Sequence, residues 1–402
     1  MHSRESTRPF LFFFLDLPSG ISSGFASITL PFVLTQAGFS VAAASAIVAL
    51  GVSANLWRFL WGPVADLTLT ARRWYLIGLI TTAATLFLLS VIPLRTSSSG
   101  LIYAVVFISQ VASTLVMLPL GGMMAHTVAE EAKGRAAGWY QAGNLGGNGI
   151  GGGAGVWLAA HYSKEIAGAA LAISMLACAV ALLFVADVRI VTTETLCQRM
   201  LLLWRDLVAI VTAAIPLLVT ILVCSPIGAG AMNNVWAAVA PDWHASADMV
   251  ALVTGVLNGV VAAVGCVVGG WIADRVGFWW TYFTSGIAIA AVAIIMAIAA
   301  RTPASFSVGV LFYAFTNGVA YAAFSALVLL AIGKGAASTK YAALCSLGNL
   351  PVVYMTALDG WVHDRYGTAW MLHFDGLAGV VCIAFAMLAL YRILRREAML
   401  IP

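Results

Sequence analysis

Gly62-Pro63-Val64-Ala65-Asp66, followed by Arg72 and Arg73, stands where one long apolar run ends and before the next begins. The pattern returns as Gly270-Trp271-Ile272-Ala273-Asp274-Arg275-Val276-Gly277. Asp66 and Asp274 are 208 positions apart in a chain of 402, close to half its length. A short charged turn led by glycine, present twice and each time between hydrophobic runs, predicts a duplicated membrane protein.

Composition points the same way. The chain is 62% hydrophobic and 9% charged, with a mean hydropathy of +0.99. A soluble domain carries about a quarter charged residues, and so few charges cannot cover a soluble surface of this size. The apolar runs are about twenty residues or longer, the length a spanning helix needs. A membrane barrel would instead show alternating segments of about ten. The expected fold is therefore an all-α polytopic membrane protein. The net charge of +4 is scattered over short loops and tails, which gives no nucleic-acid footprint. Six cysteines (Cys178, Cys197, Cys224, Cys266, Cys345, Cys382) show no paired spacing, so neither disulfides nor a metal are expected, and no cofactor is implied. The run after Arg4 and Arg8 is too long for a signal peptide and reads as a retained first helix.

Twelve spans are expected, at about 10–36, 41–64, 73–94, 100–127, 136–161, 166–186, 209–240, 249–272, 278–300, 305–332, 338–361 and 368–391. A connection at 188–208, with Leu201 to Trp204 amid charges, reads as a linker lying partly on the membrane surface. It separates a first bundle, 1–187, from a second, 209–402. With the N-terminus inside, fifteen of the twenty basic residues fall in cytoplasmic segments, four in outer loops and Arg58 within a span. That bias places both termini in the cytoplasm.

The 208-residue register holds elsewhere. Pro18 maps to Pro226, Gly20 to Gly228, Gly51 to Gly259, Gly62 to Gly270 and Gly78 to Gly286. Spans 1 to 3 thus correspond to spans 7 to 9. Parallel six-helix halves of this kind are the architecture of the major facilitator superfamily, and the two turns resemble its signature loop, Gly-x-x-x-Asp-Arg-x-Gly-Arg-Arg. The second copy matches well. The first has Leu67 in place of the arginine, with Arg72-Arg73 arriving late.

Within that superfamily the chain resembles the group of AmpG-type muropeptide permeases and acetyl-coenzyme A transporters. The likeness rests on Leu17-Pro18-Ser19-Gly20, on Phe59-Leu60-Trp61-Gly62-Pro63 with Asp66, on Arg72-Arg73-Trp74, and on Gly151 to Ala159. It implies a monomeric secondary transporter of the inner membrane, working by alternating access. The expected activity is proton-coupled import of a bulky polar solute such as an anhydro-muropeptide. Acetyl-coenzyme A, a siderophore, or a sensor role without flux are the alternatives. An enzyme is not expected, because no acid/base cluster, nucleophile elbow, metal set or nucleotide loop is present.

Several residues stand out for chemistry. Asp66, Arg73, Asp274 and Arg275 are the candidate gate, since an aspartate near a helix end can interact with a neighbouring helix terminus. Asp16 and Arg58 fall at similar depth in adjacent antiparallel spans. A charge in the bilayer costs at least ~2.5–3.5 kcal/mol, so an Asp16–Arg58 pair is expected: either a static pair, or proton coupling at Asp16 with Arg58 holding a substrate anion. Asn144, Asn148, Asn233, Asn234, Asn258, Asn317 and Asn349, with Tyr321, Trp236 and Trp139, suggest a neutral polar binding site. The bland reading of each amide is interhelical glue. By superfamily analogy span 12 lies outside the cavity, so Asp375 is expected to be satisfied by span 11, near Asp359, with a proton role as the lesser alternative. His126, beside Glu130 and Glu131, reads as a loop residue. Gly360-x-x-x-Asp364-Arg365 reads as an outer gate or a solvated turn. Pro18 and Pro226, with the glycines after them, are expected to break spans 1 and 7 at matched places. Gly147, Gly151 and Gly155 are expected to pack on span 8.

Overall fold

The computed structural model describes residues 7–39, 41–95, 98–185, 196–333 and 337–399. Arg4, Asp187, Lys334 and the linker residues Arg189 and Glu194 lie outside them. Among the described residues there is helix and no strand, and nine segments are long and apolar enough to cross a membrane. These are spans 1, 3, 4, 6 and 8 to 12, from Leu11–Leu34 to Thr368–Ile393. The three spans outside that set each have a physical reason. Span 2 is helical over Val41–Trp57 and then tightens into a 3-10 turn at Arg58–Leu60. Span 5 runs Lys133–Gly149, a π-helical turn at Ile150–Ala154, and Gly155–His161; its glycines and asparagines lower its hydropathy. Span 7 is helical only over Ala214–Val223 before the chain unwinds.

The packing repeats between halves. Span 1 lies on spans 4, 5 and 6, and span 3 on spans 4 and 6. In the second half, span 9 packs on spans 10 and 12, and span 8 on span 10. The halves meet along two seams. One is span 5 against span 8; the other is the start of span 11 against spans 2 and 4. Spans 6 and 9 turn apolar side chains outward, as at Leu183 and Ile298, which are 75% and 74% exposed. That is a lipid-facing surface. The linker helix Leu196–Thr212 likewise exposes Met200, Leu201 and Trp204.

Two expectations are corrected here. The Gly147, Gly151, Gly155 stripe does not pack on span 8. A Cβ at Gly147 would meet Leu17 O at 2.5 Å, one at Gly151 would meet Ile21 O at 2.0 Å, and one at Gly155 would meet Thr29 Oγ1 at 2.3 Å. All three contacts lie on span 1, so the stripe lets spans 1 and 5 touch backbone to backbone. The face toward span 8 is another one, where Gly138 lies against Cys266 O and Gly149 against Gly259.

The second correction concerns the prolines. Pro18 sits inside a continuous helix, Leu11–Gly24, extended by a π-helical turn at Phe25–Thr29 and by Leu30–Gln36. Only span 7 breaks: Gly228 and Gly230 have φ of 64° and 66°, after which the chain resumes in short turns from Ala231 to Trp243. Carbonyls freed inside a membrane must be satisfied. Tyr354 donates to Cys224 O, Tyr282 to Ile227 O and Asn317 Nδ2 to Gly228 O, at 2.9, 2.7 and 3.2 Å.

Candidate functional site: a polar cavity between the halves and its two latches

A cavity of about 180 Å³ opens where the halves meet, room for about six waters. The first half lines it with Ser19 and Ser23, Asn55 and Arg58, Gln110 and Ser113, and Tyr140, Gln141 and Asn144. The second half contributes the unwound stretch of span 7 (Ser225, Ile227, Gly228, Ala229), Tyr282, Tyr321 and Phe324, and Cys345, Gly348 and Asn349 of span 11. Much of the polar wall is already engaged. Asn144 Nδ2 donates to Ser19 Oγ at 3.1 Å, and Gln110 Nε2 donates to Ser22 Oγ at 3.0 Å. Gln141 Nε2 reaches across the seam to Ser325 Oγ at 2.6 Å.

Arg58 is the cation of this wall. It is 7% exposed, and its Nε has no hydrogen-bond partner. The expected direct pair with Asp16 is not formed. Asp16 is fully buried one layer behind the wall, where Oδ1 accepts from Ser19 Oγ at 2.7 Å and Oδ2 has no partner. Arg58 acts on Asp16 only through its field. The reason is local: the 3-10 turn at Arg58–Leu60 carries the guanidinium toward the cavity, while Ser19, three residues on in the same helix, reaches Asp16 first. A buried cation without a full set of partners is costly, which makes it a natural receiver for an anion.

On the basic face, the two repeated turns join the halves. Asp66 Oδ2 accepts from Thr339 N at 2.9 Å and from Thr339 Oγ1 at 2.7 Å. Thr339 lies in the first turn of Ala337–Leu347, at the start of span 11. Asp274 Oδ1 accepts from Gly134 N at 2.6 Å; its Oδ2 accepts from Arg135 N and Nε at 3.1 and 2.7 Å. Gly134 and Arg135 lie in the first turn of span 5. Each aspartate thus caps a helix N-terminus of the opposite half, where free N–H groups and the helix dipole favour negative charge. The glycine four residues before each aspartate shares its helix face. A Cβ at Gly62 would meet Thr339 Cα at 2.8 Å, and one at Gly270 would meet Gly134 O at 2.5 Å. The motif is glycine then aspartate because the backbone must approach before the carboxylate can reach.

The structure sorts the remaining site residues. Arg58, Asn144, Tyr321 and Asn349 lie on the cavity wall. Asn148 bonds to Ser23 Oγ, and Asn233, Asn258 and Asn317 bond one another beneath the unwound stretch. Asn234 bonds to Thr356 Oγ1. Trp139 packs edge to face on Phe13, and Trp236 is buried against Tyr313. Arg275 stacks on Trp271 at 3.7 Å and Arg73 is exposed, so the arginine on Asp274 is Arg135. Ser19, Gln110, Gln141, Arg135 and Thr339 were not foreseen. The first three are polar residues inside apolar runs, a signal the amides already carried. Arg135 and Thr339 sit at helix starts and carry no signal of their own. Among the described residues, no cluster of His, Cys, Asp or Glu could hold a metal.

Comparison with known proteins supplies the remaining evidence. The sequence profile of the Major Facilitator Superfamily matches residues 12–351. No curated protein matches the chain. Among solved structures, the human organic anion transporter MFSD10 (TETRAN) is similar with a TM-score of 0.70 at 13% identity. That match covers 94% of this chain and 97% of that one. The proton:xylose symporter XylE, bound to 6-bromo-6-deoxy-D-glucose, gives 0.64 at 12% identity over 94% of each chain. At such identities the likeness is one of fold.

Proposed function

The chain belongs to the Major Facilitator Superfamily, and from that membership we propose a secondary active transporter that imports a polar, carboxylate-bearing solute with protons. The family and the twelve-helix fold carry the transporter class. The solute class rests on one observation: a buried arginine with an unpartnered Nε on the wall of a polar cavity between the halves. Amides and hydroxyls around Arg58 suit a solute rich in hydroxyl and amide groups. An anhydro-muropeptide carries those groups and a carboxylate. A cavity of about 180 Å³ takes one sugar-sized part of such a solute.

The proposed cycle uses two conformations. With Asp66 and Asp274 seated on the opposite helix ends, the basic face is shut. That face is the cytoplasmic one, with both termini on it, in the inner membrane of the cell. The bundles are 1–187 and 209–402, joined by 188–208, and the protein works as a monomer. Asp16 is the candidate for coupling in the first half. A proton on Asp16 weakens its hold on the field of Arg58 and frees the arginine for the solute anion.

The test is uptake into proteoliposomes with and without a pH gradient, against muropeptides, acetyl-coenzyme A and siderophores. Muropeptide uptake that rises with an inward proton gradient and falls tenfold or more in Arg58→Gln is expected, since a charge-assisted bond contributes about 1.5–3 kcal/mol. Tight binding with no flux makes the protein a sensor. Uptake of another panel member reassigns the solute.

A further inference from the structure

Asp359 and Asp375 lie eight residues on either side of Gly367, whose φ of 81° turns span 11 into span 12. At about 1.5 Å per residue, antiparallel helices bring both carboxylates to one depth, about 12 Å below the turn. Asp359 is fully buried, and both its carboxylate oxygens lack a hydrogen-bond partner. Asp375 faces it from span 12. From span 10, Tyr313 brings a fully buried hydroxyl, itself without a partner, beside Asp375. Trp236 of span 7 stacks edge to face on Tyr313 with centroids 5.4 Å apart. Val310, Val362, Met371 and Leu372 complete an apolar wall.

Among the described residues, no cation pairs with these two carboxylates. At the turn, His363 and Asp364 face each other at 3.4 Å and Arg365 stacks on Trp361. In span 12, His373 Nδ1 lies against Ala369 O at 2.7 Å. At the end of span 7, Asp242 accepts from Thr368 and Arg301 stacks on Trp243. Span 10 adds only Tyr313 and Tyr321, and span 9, packed on span 12, has no charged residue. Neither aspartate forms an ion pair among the described residues.

We propose that Asp359 and Asp375, with the hydroxyl of Tyr313, form a proton-binding site in the second half, apart from the central cavity. It deepens the proton-coupled reading given above and rests on it only for its role in transport. Asp375 is partly exposed and Asp359 fully buried, so two ionised carboxylates here repel and leave the inner one unsolvated. One proton, taken from water at the Gly367 face, bonds one carboxyl oxygen and is shared with the other carboxylate, as in other paired-carboxylate sites. The remaining charge accepts from Tyr313. The proton returns to water when the pair separates. Tyr313 and cavity-lining Tyr321 lie eight residues apart on one helix, about 12 Å, and Trp236 belongs to the broken span 7. The site therefore touches spans 7, 10 and 11, three of the elements that shape the second half of the cavity.

The test uses the full chain in lipid and does not depend on finding a solute. Infrared difference spectra between acid and alkaline pH, in sodium-free buffer, are recorded for the native protein, Asp359→Asn, Asp375→Asn and Tyr313→Phe. A protonated-carboxyl band present in the native protein, lost in both asparagine variants and shifted in Tyr313→Phe is the expected result. The same band unchanged in all three variants overturns the proposal. So does sodium, at fixed pH, removing the band in the native protein, which makes the pair a sodium site. If one asparagine variant fails to fold, the other and Tyr313→Phe decide. Where a solute is taken up, its pH response is lost in Asp359→Asn; the band without any uptake sinks the transporter reading and leaves the proton site standing.

Discussion

Spans 1 and 7 carry the same proline and glycine in the same register, yet one is a continuous helix and the other is broken. In span 1, Gly20 and Gly24 are held by span 5: a Cβ there would meet Asn144 O at 2.1 Å and Asn148 O at 2.0 Å. The glycines serve close packing, and the helix persists through Pro18. In span 7 the equivalent Gly228 takes a left-handed backbone, and Asn317 catches its carbonyl. The difference teaches that a shared residue type fixes equivalence of position, while the neighbouring helix decides conformation. The unwound copy is also the one that lines the cavity with backbone.

The comparison can be broken first at the tight copy. Gly20→Leu places carbon inside the span 5 backbone and is expected to cost more than about 4 kcal/mol; thermal unfolding in detergent and membrane yield measure it. A mild effect there would show that span 1 is not clamped. Asn317→Leu leaves Gly228 O without its donor and is expected to cost about 1–3 kcal/mol, with a matching loss of solute affinity because the unwound wall shifts. The same measurement on Gly228→Ala tests the left-handed backbone, worth about 1–2 kcal/mol, together with the 2.9 Å approach of a Cβ there to Ala320 Cβ.

The latches offer a smaller contrast. Beside its backbone donors Asp274 takes the guanidinium of Arg135, and Asp66 takes the hydroxyl of Thr339. Asp274→Asn and Asp66→Asn are each expected to speed labelling of a cysteine placed in the cavity from the basic face, and an unchanged labelling rate in both would remove the latches. The smallest effect is reserved for Arg73→Ala and Arg275→Ala, within about 0.5 kcal/mol, because neither arginine holds an aspartate. A large change in either would return them to the gate.

Much of this was legible in the chain. The Gly-x-x-x-Asp repeat and the 208-residue register specified two helical halves, because the length of apolar runs and the spacing of charged turns are dictated by the bilayer. Asp66 and Asp274 were legible as helix-end carboxylates for the same reason. Their partners were not, since Thr339 and Arg135 acquire a role only when a distant helix end is brought to them. The Asp16–Arg58 expectation rested on depth alone; depth did not account for Ser19 or for the tightening of span 2 at Arg58. The amides Asn233, Asn258 and Asn317 looked like a binding site because polar groups in a membrane demand partners. Those partners proved to be one another and an unwound backbone.

The glycine faces at the latches have a further consequence. Where Gly270 meets Gly134 and Gly138, no side chain has to leave a rotamer well or slide past another when the halves separate. In the proposed cycle, friction at that contact is low, and the rate of opening is set by the aspartate hydrogen bonds and by water arriving at the helix ends. Such a joint would be held thermodynamically by the aspartates while its glycine faces kept it kinetically quick.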